Sequence, residues 1–506
     1  MALAQVFTRA ELGMDAPLIR VEVHISGGLP SVTLVGLPEA SVRESRERVR
    51  AALNSCGFQF PARRVTVNLA PAELPKQGGR FDLAIALGIL CATDQLPESC
   101  IKNREFFGEL SLSGEIRPCS GLLPAALAAK AQGRQMVVPT QGSAELSLVP
   151  ELDALKAPSL PQLVAALTGQ APLDSIQPDP FRPDTLPQCK DLSEVIGQQQ
   201  GKLALMIAAS GGHNLLLMGP PGTGKTMLAS RLCDLLPPLP VEPALEVAAI
   251  HSVAGLPRTP AQLLQRPFRA PHHSSSAASL VGGGSLPKPG EISLAHHGVL
   301  FLDELPEFPR TVLDSLREPL ESGEVVISRA AAKLRYPAQF QLVAAMNPSP
   351  CGETGPQSRS TPEQIRRYLG RLSGPFLDRF DLTVEVARLP PGELTRQHQP
   401  QGLTTTQARD QVLAARERAL SRQGILNARL SPSALGTEAK IEQDAAAFAE
   451  QGLNRLGLSV RAFHRILRVS RTLADLQQQE RVTRSHVAKA FGFRAMDKLM
   501  AQLRLE

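Results

Sequence analysis

Leu215–Thr226 reads LLLMGPPGTGKT, and this stretch decides the fold. Leu215–Met218 is a short unbroken apolar run, as expected of a strand buried on both faces of a parallel sheet. Gly219, Gly224, Lys225 and Thr226 then fill every fixed position of a G-x-x-x-x-G-K-[ST] phosphate loop, with Pro220, Pro221, Gly222 and Thr223 between them. Glycines let the backbone curl so that its N–H groups face phosphate oxygens at a helix N-terminus. Lys225 offers a point charge to the β- and γ-phosphates of ATP, and Thr226 a hydroxyl to Mg²⁺. A plain Gly-Pro turn before a helix would not explain why strand, loop and helix context all agree.

Outward from this loop, two more apolar runs end in polar residues. Gly298–Glu304 (GVLFLDE) closes on Asp303 and Glu304, and Gln341–Asn347 (QLVAAMN) closes on an amide. Apolar strands separated by helical stretches predict a parallel α/β sheet whose ligands bind at the strands' carboxyl ends. Asp303 suits Mg²⁺, directly or through water, and Glu304 suits positioning and deprotonating the attacking water. Asn347 could hold that water or the γ-phosphate. A helix over Asp191–Ala208 is expected to open this unit. Beyond about residue 390 the chain reads as helical, over Thr404–Arg422, Glu438–Gly452, Ser459–Leu476 and Thr483–Leu503.

Residues 1–168 form a separate α+β unit with a mixed sheet. Leu18–Ile25 and Arg64–Leu69 alternate like half-buried strands; Glu39–Leu53, Phe81–Ala92 and Pro118–Lys130 read as helices. Residues 169–190 carry five prolines among polar residues and read as an extended linker. The organisation is therefore 1–168, a linker over 169–190, a nucleotide unit over 191–390 and a helical unit over 391–506.

The 506 residues carry a net charge of +6. From Thr361 to Glu506 there are 23 Lys and Arg against 15 Asp and Glu, a lean toward a polyanionic partner that solvated helix faces would also produce. Seven scattered cysteines argue against a disulfide framework. With no signal pattern and no membrane-length apolar run, the expectation is a cytoplasmic protein without membrane contact.

The order of phosphate loop, Asp-Glu, Asn347, Arg379 in GPFLDRFD and Arg461 on a late helix resembles AAA+ ATPases. Arg266–Leu305, Gly211–Ala229, Leu372–Asp381, Val460–Leu476 and Val35–Leu53 narrow the resemblance to the ComM/YifB family of magnesium-chelatase-like AAA+ ATPases. That resemblance implies a homohexameric ring using ATP and Mg²⁺ that acts on single-stranded and branched DNA. It implies branch migration during natural transformation, with recombinase-coated strand-exchange intermediates as possible partners. It makes Arg379 an arginine finger acting in trans, Arg461 a second sensor, and residues 391–506 a lid. Arg465 and Arg468, on the same helical face as Arg461, read as facing solvent or a groove.

The resemblance also places the insertion before Asp303 and the hairpin before Asn347 along a central pore. Glu324–Tyr336 reads as two short strands around a polar tip, so Arg329, Lys333 and Arg335 are DNA-contact candidates. Arg269, His272 and Lys288 come second. The N-terminal unit resembles the Lon-protease-like fold, but Arg80 and Leu123 stand where the Ser-Lys dyad would be, which argues against peptidase chemistry.

Where some relatives carry a C-x-C…C-x-C set, this chain has Ser349, Cys351, Ser358 and Ser360, so no structural zinc is expected. His272–His273 and His296–His297 are read as loop or core histidines whose adjacent rings point apart. A protein-remodelling ATPase of the magnesium chelatase type, an ATP-dependent peptidase and a nucleotide-gated DNA clamp are the competing functions.

Overall fold

The computed structural model describes residues 2–178, 190–284, 287–328, 333–353, 358–392 and 402–505. Leu215–Met218 is the fourth strand of a five-stranded sheet in the order Phe268–Arg269, Val299–Leu302, Gln341–Met346, Leu215–Met218, Leu382–Glu385. Every pairing in it is parallel. All four residues of Leu215–Met218 are buried, because the sheet is covered on both faces. Leu215 and Leu217 point into a core shared with the Gln199–Gly211 helix and the late helices. Leu216 and Met218 point into a second core, shared with Val325, Ile327, Leu334 and Tyr336 of the hairpin. The sheet thus has helices on one side and the hairpin base on the other. The two outer strands, Phe268–Arg269 and Leu382–Glu385, were not read from sequence; two and four residues are too short for periodicity to register.

The N-terminal unit carries a mixed eight-stranded sheet, in which Ala2–Arg9 pairs antiparallel with Leu18–Ser26 and parallel with Arg104–Phe106. The Asp82–Ala92 helix is buried along its whole length against this sheet, as its continuous apolar sequence demands. Part of the expected linker belongs to the fold: Asp174–Ser175 pairs with Ala154–Ala157 as the last strand. Residues 179–189 lie outside the described residues.

The two units are joined by a common core. Leu122, Ala126 and Met136 pack with Leu239, Val247 and Leu263, and the Ser252 hydroxyl donates to Glu145 at 3.0 Å across the junction.

The expected Glu39–Leu53 helix is two, Ala40–Arg43 and Ser45–Ser55, the Pro118–Lys130 helix starts only at Leu122, and three boundaries in the later units differ as well. Asp191 does not begin a long helix; its carboxylate accepts from the Ser193 N–H at 3.0 Å and caps a single turn, and the helix begins at Gln199. The expected Glu438–Gly452 helix runs instead over Gln443–Leu456. The last helix is broken into Arg484–Gly492 and Ala495–Leu505, because the chain between them pairs with the sheet edge. The Thr383 N–H donates to Phe493 O at 2.9 Å, and the Met496 N–H donates to the Thr383 hydroxyl at 3.1 Å. Met496, Leu499 and Leu503 then bury against the sheet's second core, so the final helix packs with the nucleotide sheet. Thr404, Ser459 and Thr483 all cap the helices that follow them. No described helix is long and apolar enough to cross a membrane.

Candidate nucleotide site

The phosphate loop sits where Leu215–Met218 ends. A Cβ on Gly219 would lie 2.2 Å from Val386 O, so only glycine lets the loop leave the sheet there. Gly224, at φ +89°, turns the chain into the Lys225–Leu235 helix. Lys225 is buried, with its Nζ donating to Gly219 O at 2.7 Å, Pro220 O at 2.8 Å and Asn347 Oδ1 at 3.2 Å. Burial lowers its pKa, and the Asp303 carboxylate opposes that shift. A phosphate would supply the counter-charge that loop carbonyls only approximate.

Asp303, Glu304 and Asn347 gather at the carboxyl ends of neighbouring strands. The Thr226 hydroxyl donates to Asp303 Oδ2 at 2.7 Å, so the two oxygens expected to hold Mg²⁺ are already adjacent. They form a hard-oxygen donor pair suited to Mg²⁺, which would neutralise phosphate charge. Glu304 has a left-handed backbone, φ +52°, and its exposed carboxylate lies 3.0 Å from His273 Nδ1. That strained turn and that histidine aim the carboxylate into the cavity rather than along the following helix.

The cavity beside Lys225 has a volume of about 650 Å³. It is lined by Lys225, Asp303, Glu304 and Asn347, and also by Arg367, Tyr368 and Arg371, which the sequence reading missed. Thr361 and Gln364 form a capping box that starts this helix, and its Arg367-Tyr368 face turns into the cavity. Arg371 is anchored by Glu307 at 3.0 Å. The T-P-E-Q cap followed by paired arginines was the available signal; only the fold shows which way that helix faces.

Other candidates are placed elsewhere. Arg379 does not line its own chain's cavity; it pairs with Glu321, while its backbone carbonyl accepts from the Asn214 side chain at 2.9 Å. Arg461 is exposed on the Val460–Leu476 helix, also away from that cavity. Arg465 and Arg468 are not solvent-facing. Arg465 is buried and donates to Asp378 O, Asp378 Oδ1 and Phe380 O, locking the late helix onto the segment that carries Arg379. Arg468 donates to Leu430 O at 2.8 Å.

Among the DNA candidates, Arg269 is held in a two-pronged ion pair with Glu291, at 2.6 and 2.8 Å, so its charge is already matched. His272 and Lys288 are exposed. Lys333 and Arg335 are exposed on the hairpin strand Lys333–Pro337, while Leu334 and Tyr336 between them are buried. Arg335 meets Glu324 at 3.3 Å, a surface pair that leaves it largely available. Arg329 lies outside the described residues.

The adjacent histidines do not point apart. The rings of His272 and His273 lie 4.1 Å apart, and those of His296 and His297 lie 3.9 Å apart. His296 Nε2 and His297 Nε2 converge on Glu246 Oε2 at 3.1 and 3.4 Å. His297, at φ +55°, turns back on its neighbour, which extended backbone would not allow. This trio is a poor metal site. The Gln339 N–H donates to His296 Nδ1 at 3.0 Å, so that nitrogen is the acceptor and Nε2 carries the proton. A protonated Nε2 has no lone pair for a metal.

Ser349, Cys351 and Ser358 are brought together, with the thiol 3.2 and 3.5 Å from the two hydroxyls, and Ser360 is tied to Ser358. One thiol among hydroxyls is a weak donor set for Zn²⁺. The hydroxyls of Ser349, Ser358 and Ser360 lower the Cys351 pKa to about 5. Arg80 is buried at the N-terminal unit's junction with the nucleotide unit, donating to Ser120 O, and Leu123 is buried in the joint core.

A phosphate loop, an Asp-Glu strand end and an Asn strand end on one parallel sheet define a P-loop ATPase. Residues 191–394 match the family described as magnesium chelatase, subunit ChlI; residues 21–142 match subunit ChlI of Mg-chelatase, and 402–494 its C-terminal region. The chain is 53% identical to "Competence protein ComM" of Haemophilus influenzae and 51% identical to "Uncharacterized protein YifB" of Escherichia coli, with 99% of each chain covered. The magnesium-chelatase 38 kDa subunit of Cereibacter sphaeroides is 29% identical over 58% of this chain and 87% of its own. The chain belongs to the ComM/YifB family of magnesium-chelatase-like AAA+ ATPases.

Proposed function

We propose that this protein is an ATP-driven homohexameric ring motor on DNA, a branch-migration helicase that helps integrate incoming single strands during natural transformation. The observation that carries the reading is a continuous path from hairpin to nucleotide. Lys333–Pro337 leads within three residues into Gln341–Met346, and that strand ends at Asn347, 3.2 Å from Lys225 Nζ. Cations on the hairpin would track phosphates rather than bases, giving sequence-tolerant, salt-sensitive binding. Occupancy of the nucleotide site would then bear on the hairpin through one rigid strand.

In this reading Thr226 and Asp303 hold Mg²⁺, Lys225 and the loop N–H groups hold the phosphates, and Glu304 takes the proton of the attacking water. Arg379 completes a neighbouring subunit's site and Arg461 acts as a sensor. Residues 404–492 serve as the lid, and the Lon-protease-like N-terminal unit as a scaffold or DNA guide. The protein works in the cytoplasm, on single-stranded and branched DNA. The relative named a competence protein supports the setting, since full-length identity at this level carries the whole architecture with it.

The test is ATP-dependent migration of synthetic three- and four-stranded junctions by the purified protein. Junction resolution that requires hydrolysable ATP and is lost in Lys225→Ala is the expected result. ATPase activity indifferent to DNA, with no junction movement, would favour the remodelling role suggested by the chelatase subunits.

A further inference from the structure

A second cavity, of about 330 Å³, opens at the other end of the same sheet. Its lining includes Gly212, Gly298 and Gln341, which precede or begin three of the parallel strands, so it lies at their amino ends. Arg266, Arg416 and Arg429 enter it from three separate segments. None has a carboxylate partner among the described residues. Arg266 donates to Pro237 O and His297 O, Arg416 to Ala209 O, and Arg429 to Gln339 Oε1. Each guanidinium has five donors, so most of their N–H groups remain for something else. Among the described residues, no Asp or Glu lines the cavity. The neighbouring carboxylate, Glu246, is already engaged by His296 and His297.

Burial lowers Arg266 and Arg416 to about 10, and Arg266 also disfavours the charge on Arg416. Arg266 and Arg416 are half-buried without counter-ions, which weakens the fold unless a partner supplies negative charge; Arg429 stands exposed at the mouth. Apolar side chains share the lining with His297, Gln339 and Gln341. Phe340, Leu420 and Ile425 are among the apolar ones, Leu420 and Ile425 being 45% and 40% exposed. A nucleic-acid backbone fits this poorly, because phosphates are met by exposed cations strung along a surface and give nothing for aliphatic walls to bury.

We propose that this cavity docks an acidic peptide segment of another protein, its carboxylates on Arg266, Arg416 and Arg429 and a bulky apolar side chain against Phe340, Leu420 and Ile425. Arginine forks match carboxylates two N–H groups at a time, and apolar anchors between charged pairs give such sites their affinity. The cavity shares no lining residue with the nucleotide cavity, while Gln339, Phe340 and Gln341 join it to the hairpin strand, so its peptide binding is measured without DNA or ATP.

The test uses the full chain and a fluorescein-labelled peptide, Asp-Glu-Leu-Asp-Asp-Phe, read by fluorescence anisotropy. Its amide counterpart, Asn-Gln-Leu-Asn-Asn-Phe, is the control. Saturable binding of the acidic peptide is expected, weakening with salt and absent for the amide form. Arg429→Glu and Leu420→Asp lie at exposed positions, where folding is least at risk, and unchanged melting curves verify this. Each should weaken binding by about tenfold or more. No saturable binding, or equal binding of the amide peptide, would overturn the proposal. So would displacement of the peptide by oligo-dT whose own binding is lost in the same variants, since that assigns the cavity to nucleic acid. A change of oligomeric state in both variants, with the peptide excluded from the assembled form, would assign it to a second copy of the chain.

Discussion

The two ends of the five-stranded sheet solve opposite electrostatic problems with the same backbone. At the carboxyl ends, one buried lysine meets loop carbonyls and an amide, with Asp303 and Glu304 close by. At the amino ends, three arginines meet carbonyls and an amide, with no acid among the described residues of the cavity. The first arrangement suits a polyanion carrying its own Mg²⁺, because carboxylates and lysine divide the work between metal and phosphate. The second suits an anion that arrives without metal. A cluster of cations acquires meaning only with its carboxylate neighbours in view.

The largest expected effects lie at the nucleotide end. Arg379→Ala should lower ATPase turnover by about 10³-fold or more if it acts as a finger in trans, while ATP binding survives. Mixing it with Lys225→Ala subunits should recover activity at junctions where the Lys225 variant supplies the intact finger; no recovery would remove the trans role. Glu304→Gln should keep ATP binding and lower turnover by roughly 10²–10⁴-fold, since an amide fits the site but takes no proton. Normal turnover in that variant would refute its assignment as base. In all three, acidic-peptide binding at the amino ends should be untouched, which is the sharpest separation of the two ends.

A smaller effect is expected at the hairpin. Lys333→Ala with Arg335→Ala should weaken DNA binding and reduce its salt slope by up to about two phosphate contacts. Unchanged affinity and unchanged junction migration would shift attention to His272 and Lys288.

The smallest effect concerns pH. Burial in the Val241–Val253 helix lowers His251 to about 4, so the folded state holds it neutral while the unfolded chain protonates near its ordinary value. The unfolded state therefore binds more protons between about pH 6.5 and 4, and stability falls as pH drops through that window. By pH 5 this site alone costs at most about 2 kcal/mol. Urea unfolding at pH 7 and 5 measures it, and His251→Gln should flatten the difference. An unchanged difference would place the pH response elsewhere, His296 being the next candidate because burial and the neighbouring His297 lower it in the same direction.

Some of these differences were legible before the fold was known. Asp303 and Asn347 each close an apolar run, so the sheet rule alone puts them beside the loop. Arg465 was misread because helical spacing shows a shared face but not what covers it; Asp378, 87 residues earlier, covers it. The break in the last helix was hidden because Phe493 and Arg494 suit a helix locally, and only the free edge at Thr383 recruits them into a bridge. The ring contacts of His296 and His297 depended on one left-handed residue that no pattern announces.

By itself the sequence determined the phosphate loop, its strand and the Asp-Glu and Asn strand ends beside it, because these depend on neighbours in the chain and on fixed spacing. It also determined the hairpin of two short strands around a polar tip; the structure added that Leu334 and Tyr336 turn inward and Lys333 and Arg335 outward. Only the tertiary structure decided that Arg367, Tyr368 and Arg371 share the cavity with Lys225, that His273 reaches Glu304, and that Arg266, Arg416 and Arg429 converge. Each of those contacts joins segments that are remote along the chain. Their meeting is set by the shared burial of apolar faces on both sides of one sheet, which local sequence does not encode.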